Sequence, residues 1–481
     1  MTVVATPTSV SRRSRGRAVA VSVAVDASLG SRHPRATLAV VASGTLLMIM
    51  AFTLPLATIV PTAASLDAST AARTWILSSM SIGLAAALLT AGAVADDLGR
   101  RRTFVVGLVV LALGGLVCAV VSDPTTFVLA RVVQGVGGAA VTAASLGILA
   151  HAFAPGPARV AATGAWGASL GAGIAVGPVV AGLCDVWVSW RLAYAVLAVA
   201  AFVTVVGALR YLDESRAPVR RRLDRWGGLL IAGGLSCLLA GLVESREPGR
   251  GLLSGGLFVA SAALLVGFVV AERRGRAPML DLALLRHRPF VAATTAAFAT
   301  GMGVIALFSF MAIFLDTGFG IGALGAGILL LSWSATSVVS SLLARRLPSG
   351  WSGRSLLAAG LLGVAAGQAL LTGVGPDTSW WRFVPALLLA GVASGVLNAA
   401  LGREAVASVP VGREAMGSGA NNTARYVGSA IGVTVVSVIV DAHGSTQQDL
   451  YDGWNVAALV TAAFSLAGAV VVIACRPRRS Q

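Results

Sequence analysis

The chain has 481 residues, of which 56% are hydrophobic and 12% charged, and its formal net charge is +16. Soluble chains carry roughly 25% charged residues, so an ordinary soluble domain is excluded, and the 57 glycines suit helices packed closely in a membrane. All 36 basic residues are arginine, held in short clusters between apolar runs, and this distribution argues against a nucleic-acid partner.

Residues 1–36 are polar and carry Arg12, Arg13, Arg15, Arg17, Arg32 and Arg35. The apolar piece at 18–25 falls short of the roughly 20 residues a span needs. The run at about 37–61 is too long for the core of a secretory signal. We therefore expect a disordered cytoplasmic tail at 1–36 and a permanent helix after it. Spanning runs recur at about 37–61, 74–95, 104–122, 126–153, 160–184, 191–211, 226–243, 252–271, 290–315, 321–344, 355–373, 383–402, 415–440 and 454–475, fourteen in all. With both ends on one side, 29 arginines fall in segments on that side and 5 on the other, leaving Arg131 and Arg425 inside spans. The positive-inside rule then puts both termini in the cytoplasm of a multi-pass plasma-membrane protein. Trp187, Trp190, Trp380, Trp381 and Trp454 fall near the outer ends and fit an interfacial belt.

The expected organisation is an all-α membrane protein. It has an N-terminal six-helix half at 37–211, two inserted helices with basic flanking loops at 212–289, a C-terminal six-helix half at 290–475 and a cytoplasmic tail at 476–481. Cys118, Cys184, Cys237 and Cys475 show no paired spacing. No metal-ligand set, Walker-type loop or nucleophile–base pair is visible, so no cofactor and no enzymatic activity are expected.

Several stretches carry more than hydropathy. Between the second and third runs lies Gly92-Ala-Val-Ala-Asp96-Asp97-Leu-Gly99-Arg100-Arg101-Arg102, where three arginines mark a cytoplasmic turn and Asp96 can meet an arginine or a helix N-terminus. The fourth run contains Arg131-x-x-Gln134-Gly135. An arginine there costs about 2.5–3.5 kcal/mol on insertion scales, so it should face a partner or a wet cavity. The fifth holds Gly173-x-x-x-Gly177-Pro178-x-x-Ala181-Gly182, in which glycines permit close approach and Pro178 permits a bend. Trp333, Asn398 and Arg425 are candidates for a substrate cavity, with Phe52 from the first run. No Asp or Glu lies near the middle of any predicted span.

These motifs, in this order, resemble those of the major facilitator superfamily, and of its fourteen-helix drug:proton antiporters in particular. The 92–104 loop is similar to the family's signature between helices 2 and 3, Arg131-x-x-Gln134-Gly135 to its second motif, and 173–182 to its antiporter motif. The resemblance implies two halves rocking about a central cavity, with Gly92, Asp96, Gly99, Arg100 and Arg101 latching one state. It further implies Arg131, Gln134 and Gly135 near the proton pathway, and export of lipophilic small molecules by a monomer in exchange for protons. Three positions depart from the pattern. Asp97 stands where a base is usual, Ala181 replaces a glycine, and Phe52 occupies the place of the helix 1 aspartate. With arginines in the spans, the charge of the cargo stays open. An endogenous metabolite or lipid as cargo, or a membrane sensor that moves nothing, are the alternatives.

Overall fold

The computed structural model describes residues 31–218, 224–247, 249–275, 279–347, 351–444 and 446–475. Of the two expected tails, residues 1–30 and 476–481 lie outside the described residues. The described chain is helical, without a strand, and fourteen of its helices are long and apolar enough to cross a membrane. They are α1 (Pro34–Ser65), α2 (Thr70–Leu98), α3 (Arg100–Val120), α4 (Pro124–Ala152), α5 (Pro157–Trp187), α6 (Trp190–Tyr211), α7 (Arg225–Glu244) and α8 (Gly251–Arg274). After a short 3₁₀ turn, α9 runs in three joined parts: Arg288–Ala299, a π turn at Thr300–Ile305, and Ala306–Phe319. The rest are α10 (Gly322–Leu343), α11 (Gly353–Leu370), α12 (Phe383–Ala407), α13 (Glu414–His443) and α14 (Gln447–Ala474).

In hydrocarbon the backbone must satisfy its own hydrogen bonds, so each apolar run becomes a helix. Local chemistry sets where each begins. Proline occupies the first turn of α1, α4, α5 and α9, where a missing N–H leaves no bond broken. Side chains of Ser69, Asp123, Ser189, Asp224 and Thr446 accept from N-terminal backbone donors of α2, α4, α6, α7 and α14. Gly99, at φ +134°, makes the reversal between α2 and α3 in a region that side chains rarely adopt.

The core is divided. One large apolar cluster is drawn mainly from α1 to α6, including Met48, Leu84, Phe104, Phe127, Leu149 and Tyr194. Separate clusters join α9 to α14, around Phe314 and Trp454 and around Leu361 and Leu397. The hairpin α7–α8 has a cluster of its own, in which Ile231, Leu235 and Phe268 meet Leu89 and Ala93 of α2 and Met416 and Ala420 of α13. That hairpin therefore lies against the outside of a seam between the two main bodies. The tryptophans divide as well. Trp187 and Trp381 are exposed at helix ends, whereas Trp190 and Trp454 are buried, so the belt expected from sequence is only partly formed. Trp454 stacks on Phe314 at 4.1 Å between centroids and donates to the Leu371 carbonyl, because its indole N–H needs a partner once enclosed.

Candidate functional site

The α2–α3 turn joins the two main bodies. Arg100 donates through Nε and Nη2 to Asp96 Oδ1 at 3.0 and 2.8 Å, and through Nη2 also to Glu414 of α13. The Asp96 carboxylate accepts from the backbone N–H of Ala415 at 3.2 Å and of Met416 at 2.8 Å. Those are first-turn donors of α13 with no partner in their own helix, and the helix dipole favours a negative charge there. Asp97, the departure from the family pattern, accepts from Arg413 Nη1 at 3.3 Å. Both of these aspartates and Arg100 are buried. The exchange is therefore charge-assisted and shielded from water, conditions in which a hydrogen bond contributes about 1.5–3 kcal/mol.

Close backbone approach tightens the same end. A Cβ on Gly92 would lie 2.5 Å from the Ala415 carbonyl oxygen, and one on Gly419 would lie 2.4 Å from that of Leu88. On the other flank α5 meets α10, where Ser341 donates to the Gly164 carbonyl at 2.9 Å. The segment after α6 straps the turn down. Glu214 accepts from the backbone N–H groups of Arg101 and Arg102, and Ala217 donates to the Asp96 carbonyl. Arg101 itself reaches the Leu209 carbonyl.

Away from this seal lies a cavity of about 300 Å³. Its walls come from both bodies: α1 between Ile49 and Val60, α5 between Leu170 and Pro178, α9 between Thr300 and Asp316, and parts of α10, α12 and α13. It thus occupies mid-helix levels and the end opposite the α2–α3 turn. Phe52, Trp333, Asn398 and Arg425 all line it. Trp333 stacks on Phe308 at 4.7 Å and donates to Ser394 Oγ at 3.2 Å, while Phe52 sits 5.8 Å from Tyr426. Arg425 is buried and donates to Asn398 Oδ1 at 3.4 Å.

Phe308, Tyr426 and Asp316 also line the cavity, and sequence reasoning did not single them out as cavity residues. An aromatic on an apolar helix carries no mark of which way it faces. The π turn in α9 has no sequence signature either. It places Thr300, Val304 and Ile305 in the cavity wall, and Gly301 lies so close to α13 that an added Cβ would be 1.9 Å from the Arg425 carbonyl oxygen. Single π turns inside helices often mark functional sites.

The other sequence candidates lie elsewhere. Arg131 and Gln134 are fully buried and Gly135 is buried with them, and none of the three lines the cavity. Arg131 Nη1 donates to the Ala51 carbonyl of α1 and to Gln134 Oε1 at 2.9 Å, while its Nε and Nη2 are buried without a hydrogen-bond partner among the described residues. Gly135 is a close-approach position, where a Cβ would lie 2.3 Å from the Met80 carbonyl oxygen of α2. Gly173 and Gly177 bring α5 against α1 at Ile49 and Thr53, and Pro178 reaches the cavity wall. Gly182 faces open space.

Comparison with known proteins agrees with this architecture. The family model described as Major Facilitator Superfamily matches residues 41–433 and again 294–481. The chain is 31% identical over 388 residues to a probable actinorhodin transporter of Streptomyces coelicolor, covering 78% of this chain and 67% of the relative. It is 32% identical over 400 residues to the puromycin resistance protein pur8 of Streptomyces alboniger, covering 80% and 77%. The crystal structure of the human organic anion transporter MFSD10 superposes with a TM-score of 0.65 over 91% of this chain and 99% of that one, at 18% identity, which shows a shared fold. A bundle in two bodies with a cavity between them, matched along nearly its whole length, places this multi-pass membrane protein in the major facilitator superfamily of transporters.

Proposed function

We propose that the protein exports lipophilic small molecules of the antibiotic or drug type across the plasma membrane, by alternating access and in exchange for protons. The observation that carries this reading is the pairing of a mid-depth cavity walled by both bodies with a dense charged seal between them at the α2–α3 turn, the end away from that cavity. Both termini are taken as cytoplasmic, because the seal then coincides with the arginine-rich side. The structure in that orientation is an outward-facing state, and the halves at 37–211 and 290–475 rock to open the other end. The tail at 1–36, the inserted pair at 212–289 and the tail at 476–481 are read as additions to a monomer. Relatives named for actinorhodin transport and puromycin resistance support the cargo class.

In this reading Gly92, Asp96, Gly99, Arg100 and Arg101 form the latch, and Gly173, Gly177, Pro178 and Gly182 belong to the antiporter-type helix. Phe52, Trp333, Asn398 and Arg425 contact cargo. Arg131, Gln134 and Gly135 hold α1, α2 and α4 at fixed spacing beside the cavity. Asp96 is the proton-site candidate. Its partners come from α3 and α13, so withdrawal of α13 changes its surroundings, as coupling requires. The test is dye and drug flux in proteoliposomes under an imposed pH gradient. Wild type should show gradient-driven uptake, and Asp96→Asn should keep exchange while losing its dependence on the gradient. Flux indifferent to the gradient in wild type would remove the proton from the mechanism.

A further inference from the structure

Arg425 stands in the cavity wall without a carboxylate beside it. No ion pair among the described residues includes it, its Nε has no hydrogen-bond partner, and its bond to Asn398 Oδ1 is long at 3.4 Å. Three of the lining hydroxyls are turned inward to their own helices. Thr53 donates to the Ile49 carbonyl, Thr300 to that of Ala296 and Ser334 to that of Leu330. The Trp333 N–H is already given to Ser394. The other hydroxyls of the lining, those of Ser309, Ser394 and Tyr426, are neutral, so among the described lining residues the cationic donor is Arg425, with the amide of Asn398 beside it.

A guanidinium held in a low-dielectric wall attracts an anion, and repels a cation, far more strongly than one in water. Among the described lining residues the one carboxylate is that of Asp316, which is exposed at the mouth, where water and salt screen it. Around the charge stand two aromatic pairs, Phe308 with Trp333 and Phe52 with Tyr426.

We propose that the cavity selects aromatic organic anions, whose carboxylate or phenolate is held by Arg425 and Asn398 while the ring system lies against Phe308, Trp333, Phe52 and Tyr426. This rests on the reading that the cavity carries the cargo. A planar acid group can take two parallel N–H donors from the guanidinium, and the rings supply apolar area with little loss of conformational freedom.

The test uses the full chain in lipid nanodiscs and three probes of one shape: 9-anthracenecarboxylate, its methyl ester, and the corresponding anthracenylmethyl-trimethylammonium ion. Wild type should bind the carboxylate most tightly. Arg425→Gln should cut the preference for carboxylate over ester by roughly 10- to 100-fold, the loss expected when one charged hydrogen-bond partner is removed. Asn398→Ala should lower the same preference by a smaller factor, which keeps the test open should Arg425→Gln fold poorly. Tightest binding of the cation, or a preference unchanged in both variants, would overturn the inference. Proteoliposome flux of the same probes separates the two levels. Transport of the cation or ester without preference for the acid removes only the anion selectivity. Absence of both binding and flux for all three removes the transport reading with it.

Discussion

At the scale of single residues, the glycines of α5 are not equivalent, although they form one motif in the sequence. A Cβ on Gly173 would lie 2.6 Å from Ile49 Cβ and 2.8 Å from the Leu46 carbonyl oxygen. Neither atom sits at the end of a flexible side chain, so α1 and α5 would have to part. Overpacking of this kind costs about 1–3 kcal/mol. At Gly182 nothing lies within 4 Å. Gly173→Ala should therefore lower the thermal unfolding midpoint of the purified protein, while Gly182→Ala should stay within about 0.5 kcal/mol of wild type, as an unencumbered position does. Equal tolerance of the two changes would mean that α5 does not pack on α1 at this spacing. A similar distinction separates the two arginines inside spans. Arg131 is closed in by α1 and α4, and Arg425 is at a cavity wall. Sequence alone gives both the same argument, that a charge in hydrocarbon must find company, and packing decides which company each one finds.

At the scale of elements, the seal is made by the start of α13 meeting the end of α2. Asp97, acidic where the family pattern has a base, meets a positive charge supplied by Arg413, immediately before α13. The pair is nearly dry, so removing one member leaves the other buried and unmatched. Asp97→Arg and Arg413→Asp should each weaken the seal, seen as faster labelling of cysteines placed on the arginine-rich side. The double exchange should recover it, with a coupling energy of about 0.5–3 kcal/mol. Position 413 is the residue capping α13, where Asp is well suited. Additive single effects would show that the two charges do not meet. The spans were legible because a membrane core demands about 20 consecutive apolar residues. Their ends were less so. α5 continues to Trp187 and α13 from Glu414 to His443, since polar residues at an interface still join the helical ladder. The long-range partners, Arg413 and Glu414 with a turn more than 300 residues earlier, had no local pattern to reveal them. Nor did the π turn, whose residues Thr300–Ile305 read as ordinary span.

At the scale of the whole molecule, the two bodies hold together where backbones cross closely and charges are exchanged, and they stand apart around the cavity. Interfaces of this type are bistable rather than continuously deformable, because close-packed surfaces either mate or separate. The seal and the cavity therefore belong to one equilibrium, and holding the seal shut should stop movement of cargo without removing its binding place. Cysteines at positions 97 and 413, in a chain whose Cys118, Cys184, Cys237 and Cys475 are replaced, allow the two bodies to be bridged by a cleavable bismaleimide. The bridged protein should still bind an aromatic probe from the open side, and its proteoliposome flux should fall to the empty-liposome level. Cleaving the linker should restore the flux of the unbridged double variant, which isolates the bridge from the loss of the ion pair. Flux that persists with the bridge in place would mean that cargo passes without separation of α2 from α13, and the rocking of two halves about this seal would have to be abandoned. Loss of binding as well as flux would place the probe at the seal rather than in the cavity, since the bridge leaves the walls formed by α1, α9 and α10 untouched.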